Sequence, residues 1–343
     1  MSGDRARHLQ TERRTAEQPL LSVTDLKTHF RTERGTVRAV DGVTFSLDRG
    51  KALGVVGESG SGKSQAFLAI MGLLARNGRT DGKAMMGDIN LIGMPPGQLD
   101  RHRGKDIAMI FQDPMTSLNP TLKVRTQLAE VLVKHRGFDK QKATVTAIDM
   151  LERVGIPEPA KRANAYPHEL SGGMRQRVMI AMALLCQPKI LIADEPTTAL
   201  DVTVQAQMLD LFKTLTEDFG TSLVLITHDL GVVAGVADRM MVMYGGRAVE
   251  KGTVDDLFYD PRHPYTLGLL HSTPHIAHRT ARLDPIQGLP PSLEHLPRGC
   301  AFNPRCAFAF DRCLAERPPL TDTGNGREKA CFYEGPMRYG EVA

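Results

Sequence analysis

The sequence has little net charge. Its 343 residues contain 43 Lys and Arg against 39 Asp and Glu, a formal balance of +4 at pH 7. Because this excess is small and spread along the chain, it does not indicate a nucleic-acid partner, and we expect none. The basic stretch at 101–105 is interpreted as a solvated loop. Apolar residues make up 41% of the chain, a share that excludes wholesale disorder.

Long apolar runs are also lacking. The longest, such as 178–186, have about half of the roughly 20 residues that a membrane-spanning helix needs. Residues 1–19 form a polar tail without the apolar core of a signal peptide. We therefore expect the chain in the cytosol, where thiols stay reduced. Cys186 falls in an apolar helix and is interpreted as a core residue, whereas the other four cysteines crowd together after residue 299.

Short apolar runs predict a parallel sheet. Each has the length of a strand buried on both faces, and they fall at 52–56, 107–111, 190–194 and 223–227. Helical patterns at 64–75 and 174–185 lie between them, an alternation typical of an α/β fold. Three further segments are an antiparallel sheet at 20–47, a helical insert at 113–168 and a β-hairpin that turns at Gly245-Gly246.

A glycine-rich motif follows the first of these strands and opens a helix. Residues 57–64 read GESGSGKS, which fits G-x-x-x-x-G-K-[ST] in the context that this motif requires. Its backbone N–H groups are expected to bind phosphate, from Gly57, Ser59, Gly60, Ser61 and Gly62. Lys63 reaches the β- and γ-phosphates, and the Ser64 hydroxyl ligates Mg²⁺. The alternative is a glycine-rich turn that binds no ligand.

Two other segments point to the same chemistry. The run at 190–194 ends in Asp194 and Glu195, so that Asp194 is expected to orient Mg²⁺ and Glu195 to polarise the attacking water. The alternative is an ordinary strand exit. Ser171 is expected to cap a helix whose first turn holds Gly172 and Gly173, which makes a second anion-binding helix start. An ordinary capped helix is the alternative there.

The stretch LSGGMRQ at 170–176, between the phosphate loop and ILIADE, resembles the signature of ATP-binding cassette ATPases. The resemblance covers about residues 20–270 and implies a nucleotide-binding domain at 20–260 that binds ATP and Mg²⁺ and hydrolyses ATP. This domain has a P-loop core with a mostly parallel sheet, an antiparallel β-subdomain and a helical subdomain at 113–168. The resemblance also implies roles for individual residues: nucleotide contacts by Ser171, Gly172, Gly173 and Gln176, the Mg²⁺-sensing Q-loop by Gln112, the D-loop by Asp201, the γ-phosphate contact by His228, and stacking on adenine by Phe30.

The run FQDPMTSLNP and the motif HPYT at 263–266 resemble the oligopeptide and dipeptide importer ATPases. That resemblance implies a second cassette ATPase, expected as a heterodimer partner, two transmembrane permease subunits and an extracytoplasmic peptide-binding protein. It also implies a peripheral position on the cytoplasmic face of the cell membrane. None of the ATPase residues would recognise a peptide. Import of another substrate, such as a metal chelate, is therefore the alternative. A soluble non-transport cassette ATPase and a metal-sensing regulatory module are less favoured.

The four C-terminal cysteines are spaced C-x5-C, C-x6-C and C-x17-C, which is not the C-x2-C spacing of zinc ribbons. Four thiolates suffice for Zn²⁺ or an iron–sulfur cluster, and unmetallated packing is the alternative. Residues 261–343 resemble the C-terminal extension of peptide-importer ATPases. The resemblance implies a 4Fe-4S cluster, favoured over Zn²⁺, on Cys300, Cys306, Cys313 and Cys331. We expect the extension to be a separate appendage that takes no part in the phosphate chemistry.

Overall fold

The structure is a computed structural model that describes residues 18–33, 35–112, 117–197, 202–272 and 286–337. In chain order its strands are β1 (Leu21–Thr32), β2 (Gly35–Leu47), β3 (Ala52–Val56), β4 (Gly78–Met86), β5 (Ile89–Asn90), β6 (Ile107–Ile110), β7 (Ile190–Asp194), β8 (Ser222–Thr227), β9 (Arg239–Tyr244), β10 (Arg247–Thr253), β11 (Thr321–Asp322) and β12 (Glu328–Lys329).

The α-helices are α1 (Lys63–Ile70), α2 (Pro96–Leu99), α3 (Val124–Arg136), α4 (Lys140–Arg153), α5 (Pro159–Arg162), α6 (Gly172–Leu184), α7 (Val202–Phe219), α8 (Leu230–Val236), α9 (Val254–Tyr259), α10 (Pro264–His271) and α11 (Asp311–Ala315). Single turns of 3-10 helix lie at Pro167–Glu169 and Asn303–Arg305. In the parts of the chain that the structure describes, no helix is long and apolar enough to cross a membrane.

The main sheet has the strand order β11-β12-β10-β9-β3-β8-β7-β6. Strands β9, β3, β8, β7 and β6 pair in parallel, and the other three add an antiparallel edge. Strands β7 and β8 are buried along their whole length because their apolar runs are covered on both faces. The α/β fold class with a mostly parallel sheet is therefore confirmed. So are the strands expected at 52–56, 190–194 and 223–227.

A second sheet is antiparallel, with the order β2-β1-β4-β5. Val23 of β1 and Val43 of β2 are fully buried, and they share one core with Phe67 of α1. This sheet is the predicted antiparallel subdomain, enlarged by β4 and β5. Its core packing brings it against α1, the helix that follows the phosphate loop.

Between β6 and α6 the described residues form the helices α3, α4 and α5 and one 3-10 turn, which loops join. Leu128 of α3, Leu151 of α4 and Val178 of α6 are buried in a common core that continues into the main sheet. The helix expected at 64–75 ends earlier, at Ile70, and the expectation for its last turns is wrong. Gly72 takes a left-handed conformation with φ 62°, which breaks the helical path.

The residues after 260 complete the main sheet. Strands β11 and β12 pair along β10, and Tyr265 of α10 is fully buried. The guanidinium of Arg317 lies 3.0 Å from Asp41 on β2, which also pairs with Arg247 at 2.8 Å. The expectation of a separate appendage is therefore wrong for the described part of this region, because it packs against both sheets.

Candidate nucleotide site

The loop between β3 and α1 has the geometry of a phosphate cradle. Gly57 and Gly62 have φ of 152° and 97°. A β-carbon would collide with the carbonyl oxygen of Met243 at Gly57 and with that of Ala39 at Gly62. Only glycine fits at both positions, and the loop therefore makes the tight turn that a phosphate cradle requires.

The side chain of Lys63 lies inside this loop. It is 5% exposed, and its Nζ donates hydrogen bonds to the carbonyl oxygens of Gly57 at 2.6 Å and Glu58 at 3.0 Å. Burial lowers the pKa of Lys63, against the opposing effect of the carboxylates of Glu195, Asp194 and Glu58. The ammonium of Lys63 is therefore held inside the loop, close to these three carboxylates.

Ser64 and Asp194 meet across the site. The Ser64 hydroxyl donates to Oδ1 of Asp194 at 2.9 Å, although 130 residues separate them in sequence. Asp194 ends β7 and is 6% exposed. Burial raises the pKa of Asp194. The hydrogen bond from Ser64 lowers this pKa, and the neighbouring charge of Glu195 raises it further. A carboxylate and a hydroxyl paired in this way supply hard oxygen ligands suited to Mg²⁺.

Glu195 is held from two sides. Its Oε2 accepts a hydrogen bond of 3.0 Å from Nε2 of Gln112, and its Oε1 lies 3.5 Å from Nδ1 of His228. Its backbone φ is 45°, a left-handed conformation that is strained for a residue with a side chain. Gln112 follows β6 and His228 follows β8, so three adjacent parallel strands deliver these groups to one edge of the sheet.

These groups surround one open cavity of about 680 Å³. It is lined by the phosphate loop, by Gln112, Glu195 and His228, and by four residues that the sequence did not single out: Gln65, Leu269, Ser272 and Ile286. The structure thus brings together the predicted phosphate, Mg²⁺ and water-orienting residues in a space that can hold a triphosphate.

The predicted signature lies elsewhere on the chain. The Ser171 hydroxyl caps α6 by accepting from the N–H of Met174 at 3.3 Å, and Gly172 and Gly173 form the first turn. None of these three lines the cavity. Gln176 is 2% exposed and its amide donates to the carbonyl of Pro196 at 2.6 Å, so it supports the turn after Glu195.

Two further predicted residues are not joined to the cavity. Phe30 lies on β1 opposite Gly78 and is absent from the cavity lining. Asp201, together with 198–200, lies outside the described residues. The roles of Phe30, Asp201 and the signature residues therefore stay predictions.

Sequence reasoning missed a contact between the phosphate loop and the C-terminal region. The carboxylate of Glu58 accepts two hydrogen bonds from the guanidinium of Arg305, at 2.6 Å and 2.9 Å. The backbone N–H of Glu58 donates to the Tyr265 hydroxyl at 2.7 Å. The only signal was the HPYT motif that contains Tyr265. The C-terminal region, expected as a separate appendage, therefore contacts the phosphate loop.

The four C-terminal cysteines line one small cavity of about 10 Å³, together with His263 and Asn303. Burial raises the pKa of the Cys306 thiol to about 12 and that of Cys331 to about 11. Among the described residues, no group of three or more His, Cys, Asp or Glu has the arrangement of a metal site. The expected iron–sulfur cluster or zinc ion is not supported by this geometry.

A glycine-rich loop between strand and helix, a buried lysine, and a serine paired with a strand-end aspartate are the parts of a nucleotide-binding site. An α/β sheet of mainly parallel strands carries them, beside an antiparallel sheet and a helical layer. Together, fold and site define a P-loop nucleoside triphosphatase of the ATP-binding cassette class.

Comparison with known proteins agrees with this class. A family model described as ABC transporter matches residues 40–198, and one described as oligopeptide/dipeptide transporter, C-terminal region, matches residues 249–313. The chain is 53% identical to the oligopeptide transport ATP-binding protein OppD of Haemophilus influenzae over 92% of this chain and 97% of that protein. It is 50% identical to AppD of Bacillus subtilis over 91% of this chain and 96% of that one. The chain belongs to the ABC transporter family and is one of its ATPases.

Solved structures agree with the fold and the activity. The dimeric post-hydrolysis state of the ATP-binding cassette MJ0796, bound to ADP and Pi, is similar with a TM-score of 0.62 and 27% identity, over 68% of this chain and 98% of that one. CbiO1 from Clostridium perfringens, part of the ABC transporter complex cbiONQ, is similar with a TM-score of 0.60 and 26% identity, over 71% and 92% of the two chains.

Proposed function

We propose that this chain is the ATP-hydrolysing subunit of a peptide importer and works at the cytoplasmic face of the cell membrane. The observation that supports the ATPase site is that Lys63, Gln112, Glu195 and His228 line one cavity at the carboxyl edge of the sheet. Asp194 joins this site through the hydrogen bond that it accepts from Ser64, which also lines the cavity. Peptides as the substrate class are supported by the relatives' name and by the matching C-terminal family model.

The loop at 57–64 binds the triphosphate. Its N–H groups and the N-terminal end of α1 face the phosphate oxygens, and Lys63 exchanges its two carbonyl partners for the β- and γ-phosphates. Ser64, Asp194 and Gln112 would hold Mg²⁺, which would neutralise charge on the phosphate oxygens.

Glu195 orients the attacking water and accepts its proton. Gln112 and His228 fix the two oxygens of this carboxylate, so little reorganisation is needed when water enters. His228 is 60% exposed on its side chain and can turn toward the γ-phosphate. Catalysis in this arrangement is mainly positioning and electrostatic stabilisation, as in other phosphoryl transfers.

A second cassette completes each site. Ser171, Gly172 and Gly173 lie outside this chain's own cavity, which supports their use on nucleotide that a partner cassette holds. We propose that the partner is a different ATPase subunit, so that the pair is a heterodimer. The two cassettes drive two transmembrane permease subunits, to which an extracytoplasmic binding protein delivers peptide.

The cavity lined by the four C-terminal cysteines is the candidate site for a metal group. All four cysteines line that one cavity, and thiolates are soft ligands for iron–sulfur clusters or Zn²⁺. We propose a 4Fe-4S cluster there, with Zn²⁺ as the alternative, and assign it no step in ATP hydrolysis.

Transport by the reconstituted complex tests this function. The chain is co-purified with its permeases and partner ATPase and placed in proteoliposomes with ATP available to the cassettes. Uptake of radiolabelled oligopeptides is then compared with uptake of an iron chelate. We expect ATP-dependent peptide uptake that Lys63→Ala eliminates. Uptake of the chelate alone would refute the peptide assignment, and no uptake of either substrate by a complex that hydrolyses ATP would refute an importer.

A further inference from the structure

The second residue of the phosphate loop is held by the C-terminal region at two points. The N–H of Glu58 donates a hydrogen bond to the Tyr265 hydroxyl at 2.7 Å. The carboxylate of Glu58 accepts one hydrogen bond from each terminal nitrogen of Arg305, at 2.6 Å and 2.9 Å. Arg305 lies 247 residues from Glu58 in the sequence. Two parallel charge-assisted hydrogen bonds fix direction as well as distance. The backbone and the side chain of Glu58 therefore both depend on residues beyond 260.

Arg305 is itself held firmly. Its side chain is 5% exposed, its Nε donates to the carbonyl of Gln287 at 3.0 Å, and Nη1 also approaches the Tyr244 hydroxyl at 3.3 Å. The guanidinium carbon lies 5.9 Å from the ring centres of both Tyr244 and Phe302. Arg305 ends a 3-10 turn, and the next residue is Cys306. Its position is thus set by the same short segment that lines the cysteine cavity.

The charge of Glu58 matters to the phosphate site. Glu58 lines the nucleotide cavity, and its negative charge acts to raise the pKa of Lys63 against the effect of burial. ATP brings several negative charges to the same loop. An unpaired carboxylate at this position repels the phosphates, whereas a carboxylate neutralised by a guanidinium does not.

We propose that Arg305 is a positioning residue for the phosphate loop, which neutralises Glu58 and lets the C-terminal region set the affinity for ATP. The proposal rests on the proposed role of residues 57–64 as the ATP site. Arg305 acts through Glu58 and touches no reacting atom. Arg305 therefore changes the affinity for ATP and not the rate of the chemical step.

Steady-state ATP hydrolysis by the assembled transporter tests the proposal. Arg305→Gln is expected to raise KM for ATP about tenfold, the scale of one charge interaction in a partly buried site, with kcat within about twofold of wild type. Glu58→Gln alone removes the repelling charge and is expected to leave KM at or below its wild-type value. In the double variant Glu58→Gln/Arg305→Gln, KM returns to near wild type because no carboxylate is left unpaired.

Two controls make the outcome decisive. Arg312→Gln removes an exposed arginine of the same region, whose partner is Glu316 at 2.9 Å, and is expected to leave KM unchanged. Arg305→Lys keeps the charge without the paired geometry and is expected to give an intermediate KM. The proposal is overturned if Arg305→Gln lowers kcat or the melting temperature with no change in KM, or if Glu58→Gln does not restore KM. Full turnover by Lys63→Ala would instead refute the ATP site itself.

Discussion

Gln112 donates a hydrogen bond of 3.0 Å to Glu195, across 83 residues of sequence. The opposite oxygen of that carboxylate lies 3.5 Å from His228, and Glu195 has only 15% of its side chain exposed. A carboxylate fixed by groups from the two neighbouring strands has one orientation relative to the phosphate loop.

His228→Ala should slow hydrolysis more than it weakens binding. The imidazole lies 3.5 Å from Glu195 and lines the cavity, so its loss removes the group that we propose acts on the developing charge of the γ-phosphate. We expect kcat to fall by about 10²–10³-fold with KM for ATP little changed. Steady-state hydrolysis assays measure both constants. His295→Ala, an exposed histidine of the C-terminal region, is the matched control. A large rise in KM with an unchanged kcat would contradict this role.

Asp194→Asn should stabilise the nucleotide-free protein while it weakens MgATP binding. Burial raises the pKa of Asp194 in the folded state, so the unfolded state binds fewer protons and stability falls as pH rises through this range. Asparagine keeps an oxygen for the Ser64 hydroxyl but carries no charge. We expect a higher Tm than wild type at pH 7.5.

The pH dependence separates this explanation from a general gain in packing. The difference in Tm between Asp194→Asn and wild type should shrink as pH falls, because Asp194 then becomes protonated. The same variant should lose most of the rise in Tm that MgATP gives to the wild-type protein. An equal MgATP stabilisation in both proteins would refute Asp194 as part of the Mg²⁺ site.

Arg327→Met should destabilise the docked C-terminal region. Arg327 is 7% exposed on its side chain and pairs with Asp260 at 2.8 Å and with the buried Glu250 at 3.7 Å. Removing it leaves Glu250 as a buried carboxylate without a cation, at a cost of about 3–5 kcal/mol. Denaturant unfolding measures the change, with Arg312→Met as the exposed control. A change below about 1 kcal/mol would contradict a paired role for Arg327.

The effect of Arg327→Met should also depend on pH. Burial raises the pKa of Glu250 in the folded state. Its ionised form therefore costs stability as pH rises above the unfolded value, and the lost arginine increases that cost. We expect a larger destabilisation at pH 8 than at pH 5. The reverse order would show that the charge of Glu250 is not what Arg327 offsets.

Cys306→Ser should remove bound metal if the cysteine cavity holds a cluster. Protein purified without oxygen is analysed for iron and zinc, and the loss of one thiolate is expected to lower the metal content to near background. Cys186→Ala, which changes a buried cysteine in the turn after α6, is expected to keep the wild-type content. Equal metal content in Cys306→Ser and wild type, or none in either, would refute a cluster on these cysteines.

Much of the site could be predicted because the parallel strands are continuous apolar runs. Once 52–56, 190–194 and 223–227 are identified as strands, the residues that follow them must meet at the carboxyl edge of one sheet. Lys63, Asp194, Glu195 and His228 are placed in this way by local sequence alone. The apolar pattern predicted that α1 continues to residue 75. The helix ends earlier because Gly72 takes a left-handed conformation, which the apolar pattern does not indicate.

The contacts of the C-terminal region could not be predicted from the sequence. Strands β11 and β12 have two residues each, which is too short for any alternation to show. The pair of Glu58 and Arg305 joins two loops that are far apart in sequence, and many other charged residues could have paired as well. Only tertiary packing, here of Tyr265 and Phe302 against Tyr244, selects these partners.

The role of Glu195 is tested most directly by one comparison of ATP binding and hydrolysis. Wild-type and Glu195→Gln transporter are supplied with radiolabelled ATP and Mg²⁺, and the assay follows bound nucleotide and released phosphate together. We expect Glu195→Gln to bind ATP as wild type does, because the phosphate loop is intact, and to release phosphate about 10²–10⁴-fold more slowly. Release at the wild-type rate would contradict the assignment of Glu195 as the base, and with it the proposed mechanism.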